Sequence, residues 1–189
     1  LSQAFAYPEI RPAPMSNDII EKYRSYQKTN GEKSSALVCQ DFAEGLNLCF
    51  RYVSGTSLAM VHQKDLRKWD ATLDQISVSV KDSSLKYIKA DRYFFQEMED
   101  RSGGFWASAT QDGWDAAGLF HPKMLEDLVG KKVFVAIPQS GMFIFWEQGN
   151  PILNKSVAAG IKESYKAASF PISPYIYQWN GEKWVVWGE

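Results

Sequence analysis

The strongest strand signal in the chain lies in residues 133–146, which read Val133-Phe134-Val135-Ala136-Ile137-Pro138-Gln139-Ser140-Gly141-Met142-Phe143-Ile144-Phe145-Trp146. Successive side chains of a strand point to opposite faces, so the first five residues form a strand that is apolar on both faces. Such a strand sits centrally in a sheet that is covered on two sides. Gln139-Ser140-Gly141 predicts a three-residue loop ending in glycine, after which a second apolar strand returns.

A long helix and a last hairpin are predicted after this pair of strands. The helix opens at Pro151 and ends near Phe170, and apolar residues recur in it every four positions. The hairpin spans residues 174–187 around Asn180-Gly181, a dipeptide that favours a two-residue turn. In that register Tyr175, Tyr177, Trp179 and Trp184 lie on one face of the sheet.

A first hairpin is predicted from Ser35 to Val53, with a loop at Ala43-Glu44-Gly45. Its register places Cys39 directly opposite Cys49 in a non-hydrogen-bonded pair, where the two Cα atoms are close enough for a disulfide. We therefore predict a cross-strand bridge. Two free thiols remain the alternative, and they are favoured in the cytosol, where disulfides rarely persist.

Further elements lie around and between these hairpins. Thr72-Leu73-Asp74-Gln75 predicts a capping box that opens a helix to about Lys89. Aromatic runs on either side of residues 101–104 predict a further hairpin. A short helix is predicted from Pro122 to Gly130, and another from Ser16 to about Lys28.

Hairpin, helix and hairpin thus follow one another twice, in residues 35–110 and again in residues 132–187. This order predicts an α+β fold: a mixed, mostly antiparallel sheet of hairpins packed with about four helices. A duplication of a ββαββ unit is one way to obtain that order. The length of 189 residues suits a single domain over residues 16–189, preceded by a proline-containing extended arm or signal-peptide remnant at residues 1–15.

Composition excludes several classes of function. With 21 Lys and Arg against 22 Asp and Glu, the net charge is −1, so no basic field is available for wrapping nucleic acid. No apolar run reaches the roughly 20 residues of a membrane-spanning helix. Ala4-Phe5-Ala6 has the small-x-small form of a signal-peptidase site, and this predicts a secreted or periplasmic protein. A chance pair of alanines or a vector remnant is the alternative, and a cytoplasmic location is then open.

Motifs for catalysis, metals or cofactors are missing from the sequence, and no catalytic residue, metal or cofactor is predicted. His62 and His121 are the only histidines, and lone histidines are typical of helix caps or surfaces. A nucleophilic role for Cys39 is disfavoured by its place in a strand. Acidic residues 97–100 precede a Gly-Gly turn, which indicates a solvated hairpin end more than a cation site or an acid–base pair.

The aromatic face of the last hairpin is the candidate binding surface. If Tyr175, Tyr177, Trp179 and Trp184 are exposed, their rings form a stacking platform for sugar rings or for a partner's peptide. The alternative is a buried face, covered for example by the helix Leu153–Tyr165, because large exposed apolar patches are uncommon.

Several motifs carry a resemblance to a known family. They are Val135-Ala136-Ile137-Pro138, Met142-Phe143-Ile144-Phe145, Ile172-Ser173-Pro174, Tyr175-Ile176-Tyr177 and Gly181-Glu182-Lys183-Trp184, together with residues 46–52 and 65–69. In these, the chain resembles the uncharacterised bacterial family named domain of unknown function 1444, mainly its C-terminal half. Gln139-Ser140-Gly141 stands where that family usually has an Arg-Asp pair, so no role of that pair carries over. The resemblance implies a bacterial α+β protein without an established activity.

The function expected from these observations is that of an exported bacterial protein that binds a ligand or protein partner at the cell envelope without catalysis. A hydrolase that uses carboxylates with His62 or His121 is the alternative, and it requires a histidine in a cleft beside Asp or Glu. An interaction subunit of an oligomer is a third possibility, and it would present a large apolar patch.

Overall fold

The strand predicted from Val133 to Ile137 lies inside the larger of two antiparallel sheets. The computed structural model describes residues 6–12 (backbone only), 37–54, 57–90, 94–100, 103–108 and 114–188. The strands are β1 (Ala6–Pro12), β2 (Cys39–Ala43), β3 (Leu46–Ser54), β4 (Ser57–Met60), β5 (Phe95–Asp100), β6 (Gly103–Ser108), β7 (Val133–Gln139), β8 (Met142–Glu147), β9 (Ile176–Trp179) and β10 (Trp184–Val186). The α-helices are α1 (Gln63–Trp69), α2 (Leu73–Ala90), α3 (Pro122–Val129) and α4 (Pro151–Ala167), and a 3-10 helix spans Asp115–Phe120.

The larger sheet has six strands in the order β10-β9-β7-β8-β6-β5. Strand β7 pairs with β9 on one side and β8 on the other, and its residues 133–138 are buried, so its predicted central place is confirmed. The loop to β8 is shorter than predicted: Gln139 lies opposite Met142, and the ladder is irregular between Ala136 and Gln139. Pro138 accounts for this irregularity because it has no N–H to donate to the ladder.

The smaller sheet is built around β3. Strand β1 pairs with one edge of β3, while β2 and β4 pair with successive halves of the other edge. Cys39 lies opposite Cys49, and the two form a disulfide with their Cα atoms 4.1 Å apart. The predicted bridge is confirmed. The turn differs slightly, since Ala43 lies opposite Leu46 and a bulge falls between Asp41 and Ala43.

The two faces of the larger sheet have different covers. One face carries apolar side chains of β7, β8, β9 and β10, and it packs in one core with β2, β3 and helices α1, α2 and α3. The other face packs against α4 through a second cluster that contains Phe134, Trp146, Leu153, Ile161 and Ile176. The resulting order of layers is helix α4, the larger sheet, and then the smaller sheet with the other helices.

Local signals position most of the helices. The predicted capping box is present: the Thr72 N–H donates to Gln75 Oε1 at 2.8 Å, and the Gln75 N–H donates to Thr72 Oγ1 at 3.2 Å. Helix α4 begins after Asn150, whose Oδ1 accepts the N–H of Leu153 at 3.0 Å. Helix α3 ends at Gly130, which adopts a φ of 77° that suits glycine.

The α+β class is correct, and the arrangement of the hairpins differs from a single mixed sheet. The hairpin β2–β3 belongs to the smaller sheet, whereas β5–β6 and both hairpins after residue 132 belong to the larger one. The division into two ββαββ halves therefore rests on element order and stays a prediction. The helix predicted at residues 16–28 lies outside the described residues, as does most of the N-terminal arm, of which residues 6–12 form the edge strand β1.

Candidate ligand-binding groove

The last hairpin carries the four aromatic residues singled out by the sequence, in a register that differs from the predicted one. Trp179 lies opposite Trp184, and Tyr177 lies opposite Val186. A two-residue loop at Asn180-Gly181 would instead place Tyr177 opposite Trp184. The difference amounts to two positions, so each side chain keeps its predicted face of the sheet.

Asn180 explains the longer loop. Its Oδ1 accepts the backbone N–H groups of Glu182 at 2.9 Å and of Lys183 at 2.8 Å, and its own N–H donates to the carbonyl of Lys183 at 3.1 Å. An asparagine side chain that binds the backbone two and three residues ahead stabilises an open four-residue turn over residues 180–183.

Tyr177 and Trp184 are core residues, with exposed fractions of 0% and 2%. The four rings therefore do not form the open stacking platform that the sequence suggested for them. Helix α4 is not the cover: it packs on the opposite face of the sheet, where Ile176 lies. The aromatic face packs instead against the smaller sheet and the 3-10 helix, and the Nε1–H of Trp184 donates to the carbonyl of Leu119 at 2.8 Å.

The Tyr177 hydroxyl connects the two sheets. It donates to the carbonyl of Glu44 at 3.0 Å and accepts from the Ser173 hydroxyl at 2.7 Å, while Ser173 Oγ accepts the N–H of Tyr175 at 3.1 Å. Burial raises the pKa of Tyr177 to about 12. Its hydroxyl thus stays protonated over the physiological range and holds the turn of the first hairpin against β9.

The other two aromatic residues, Tyr175 and Trp179, are accessible and have different neighbours. Tyr175 is 46% exposed, close to the turn at Gly45. Trp179 is half-buried and packs edge-on against Trp184, with the ring centroids 5.4 Å apart. Trp179 lines a groove.

This groove, of about 700 Å³, lies between α2, the start of α3 and the turn of the last hairpin. A volume of this size suits a small-molecule ligand. Apolar side chains form much of its surface, namely Leu85, Phe120, Pro122, Met124 and Trp179. Charged side chains surround them, namely Lys81, Lys89, Lys123, Lys132, Glu126 and Asp127, with His121 among them.

The four lysines that line the groove fall into two groups. Lys123 forms an ion pair with Asp127, which raises the pKa of the lysine through their hydrogen bond, and Lys132 pairs with Glu126 at 2.8 Å. Lys81 and Lys89 are exposed and, within the part of the chain that the structure describes, are in no ion pair. Among the described residues, the α2 side of the groove therefore carries two lysine charges that are in no ion pair.

His121 sits where the 3-10 helix meets α3, and its ring is fixed by Ser84. Its Nε2 lies 2.9 Å from Ser84 Oγ, and the Ser84 hydroxyl donates its one proton to the carbonyl of Lys81 at 2.7 Å. When Ser84 donates to that carbonyl, Nε2 carries the proton in the contact with Ser84, and Nδ1 is the acceptor of the neutral ring. Burial lowers the pKa of His121, and the charges of Lys81 and Lys89 lower it further.

The remaining candidates have structural roles. The backbone N–H of His62 donates to Asp65 Oδ2 at 2.8 Å at the start of α1. Cys39 is consumed in the disulfide and is no nucleophile. Residues 97–99 are exposed on the edge strand β5, as expected for charges that protect a sheet edge. No group of three His, Cys, Asp or Glu side chains in the described ranges is arranged to hold a metal ion.

Sequence reasoning missed Lys81 and Lys89. A usable signal exists, because Lys81, Leu85 and Lys89 follow one another at intervals of four residues and so lie near one another on α2. Charges on a helix usually mark a solvated face, however, and the apolar wall opposite them comes from residues 31 or more positions away in sequence.

Comparison with protein-family models, with curated proteins and with solved structures finds no match to this chain. The resemblance to domain of unknown function 1444 therefore stays a prediction. No described helix is both long enough and apolar enough to cross a membrane.

Proposed function

We propose that this chain is an exported bacterial protein that binds a ligand at the cell envelope without transforming it. The observation that carries this proposal is the groove of about 700 Å³ in which Trp179 faces apolar and basic side chains. In this proposal Trp179 is the predicted residue that contacts the ligand, while Tyr177 and Trp184 are core residues.

Export is supported by the disulfide between Cys39 and Cys49, because disulfides persist mainly in secreted and periplasmic proteins. The bacterial source follows from the family resemblance alone.

The arrangement around His121 favours binding over hydrolysis. Ser84, its hydrogen-bond partner, is fully buried and donates its proton to a backbone carbonyl, so it is not placed to attack a substrate. A general-base histidine of the predicted hydrolase would be oriented by a carboxylate. The ring of His121 binds a serine hydroxyl instead.

The test is protein-observed NMR with three small probes: 4-phenylbutyrate, the uncharged 4-phenylbutanamide and methyl glucoside. We expect at least one probe to shift the backbone resonances of residues that line the groove. The L85W variant, which fills the groove from α2, should abolish these shifts. V78W is the matched control, because Val78 is an exposed residue of the same helix and does not line the groove.

Two outcomes would contradict the proposal. Shifts that are absent, or that survive in L85W, would remove the groove as a binding site. Hydrolysis of p-nitrophenyl butyrate by the wild-type protein, lost in H121N, would establish the hydrolase alternative in place of a non-catalytic role.

A further inference from the structure

Ion pairs neutralise only some of the lysines that line the groove. The charge of a ligand therefore affects how well it binds there. Lys123 and Lys132, on and after α3, are matched by Asp127 and Glu126. The α2 wall has two further lysines, Lys81 and Lys89, which form no ion pair with any residue that the structure describes. The whole chain has a net charge of −1, so this local excess of positive charge is not a consequence of a basic protein.

The geometry of α2 places an apolar strip between these charges. Lys81 and Lys89 are eight residues apart, which corresponds to about 12 Å along the helix axis, and Leu85 lies midway between them. Phe120 and Met124 line the same groove from the 3-10 helix and α3, and Trp179 lines it from β9. A ligand lying along this strip contacts apolar atoms over its length and reaches an ammonium group at either end.

His121 adds a further constraint. Its Nε2–H is already committed to Ser84, and its pKa is lowered by burial and by the two lysines, so the ring is neutral at pH 7. The lysine ammonium groups are thus the positive charges available for a ligand on the α2 wall of the groove.

We infer that the groove takes a small organic anion: an aromatic or aliphatic body that lies against Leu85 and Trp179, joined to a carboxylate or phosphate that pairs with Lys81 or Lys89. This inference rests on the proposed function and names the ligand class for the same groove. An uncharged ligand of the same shape cannot form the ion pair with Lys81 or Lys89 and therefore binds more weakly. A cationic ligand is repelled by these lysines.

Isothermal titration compares 4-phenylbutyrate with 4-phenylbutanamide, which has the same shape without the charge. We expect the acid to bind more tightly to the wild-type protein in 50 mM salt, and K81Q/K89Q to weaken the acid about three- to tenfold while leaving the amide unchanged. Raising the salt to 500 mM should reduce the preference, because exposed charges are screened. 4-Phenylbutylphosphonate distinguishes a carboxylate from a phosphate-like head group.

The matched control is K86Q/K162Q. It removes the same net charge from two exposed lysines that do not line the groove, one on α2 and one on α4. We expect this variant to keep the wild-type preference for the acid. A loss of preference equal to that of K81Q/K89Q would assign the effect to overall charge and overturn the inference.

Failure of this inference is distinguishable from failure of the proposed function. Equal affinity of the acid and the amide, or an unchanged affinity of the acid for K81Q/K89Q, overturns the inference but leaves a groove that binds ligands. Binding that L85W does not affect overturns both, because the ligand then lies elsewhere.

Discussion

His121 is a residue of the groove whose pKa is lowered in the folded protein. Burial is the largest cause of its lowered pKa, and the charges of Lys81 and Lys89 lower the pKa further, while a hydrogen bond to the Lys81 backbone and the charge of Asp82 raise it. The unfolded chain, in which histidine has a pKa near 6.5, therefore takes up this proton at a higher pH than the folded protein does.

This difference predicts a pH dependence of stability. The contribution of His121 to the free energy of unfolding is fully present above about pH 6.5. It falls as the pH drops from 6.5 through the lower pKa of the folded state, because the unfolded state binds more protons in this range. Urea unfolding of the wild type and of H121N at pH 8 to 5 measures it. We expect a shallower fall for H121N, whose amide is also able to donate to Ser84. Parallel curves for the two proteins would contradict the assignment.

The 3-10 helix Asp115–Phe120 depends on a glycine for its close approach to the larger sheet. A Cβ at Gly118 would lie 2.7 Å from Phe143 Cε1 and 3.0 Å from Phe95 Cζ, and both rings are held in the core. Gly160 in α4 is the opposite case, since a Cβ there meets nothing within 4 Å.

These two glycines form a matched pair for mutation. We expect G118A to lower the free energy of unfolding by about 1 to 3 kcal/mol, because the added methyl group forces the aromatic rings apart. G160A should instead raise it by up to about 1 kcal/mol, because alanine favours a helix interior. Chemical denaturation of both variants measures the difference, and similar effects of the two substitutions would refute the role given to Gly118.

Elements with a strong local signal could be predicted from sequence. The alternation around Cys39 and Cys49 fixes their register, and the capping box at Thr72 and Gln75 fixes the start of α2. Helix α1 was not predicted, because its seven residues, 63–69, are too few to show a clear periodicity.

Long-range features could not be predicted in the same way. The assignment of hairpins to two sheets depends on pairings between distant strands, and no local pattern encodes them. The groove is a similar case. Trp179 was identified because it is aromatic, while its neighbours Lys81 and His121 reach it only through the packing of α2 and α3. The burial of Tyr177 likewise depends on a hydrogen bond to Glu44, 133 residues away.

The disulfide between Cys39 and Cys49 covalently links two strands of the smaller sheet. Cys39 and Cys49 are ten residues apart, and a bridge that closes so short a loop stabilises by roughly 2 to 3 kcal/mol through the unfolded state. We expect C39A/C49A to lose that amount in urea unfolding.

The intact mass checks the bridge itself. Alkylation of the unreduced, denatured protein should add no group, whereas two added groups would show free thiols and remove the argument for export. An unfolding free energy of C39A/C49A equal to that of the wild type would show that the bridge contributes nothing to stability.

The hydrogen bond from Tyr177 to Glu44 joins two residues that are synthesised at different times. Synthesis at 5 to 20 residues per second separates these two residues by roughly 7 to 27 s. During that interval the inner face of β3, with Leu46, Leu48 and Phe50, lacks the partners that β9 and β10 bring to the core. The core around β3 is therefore completed only after the last hairpin has been synthesised.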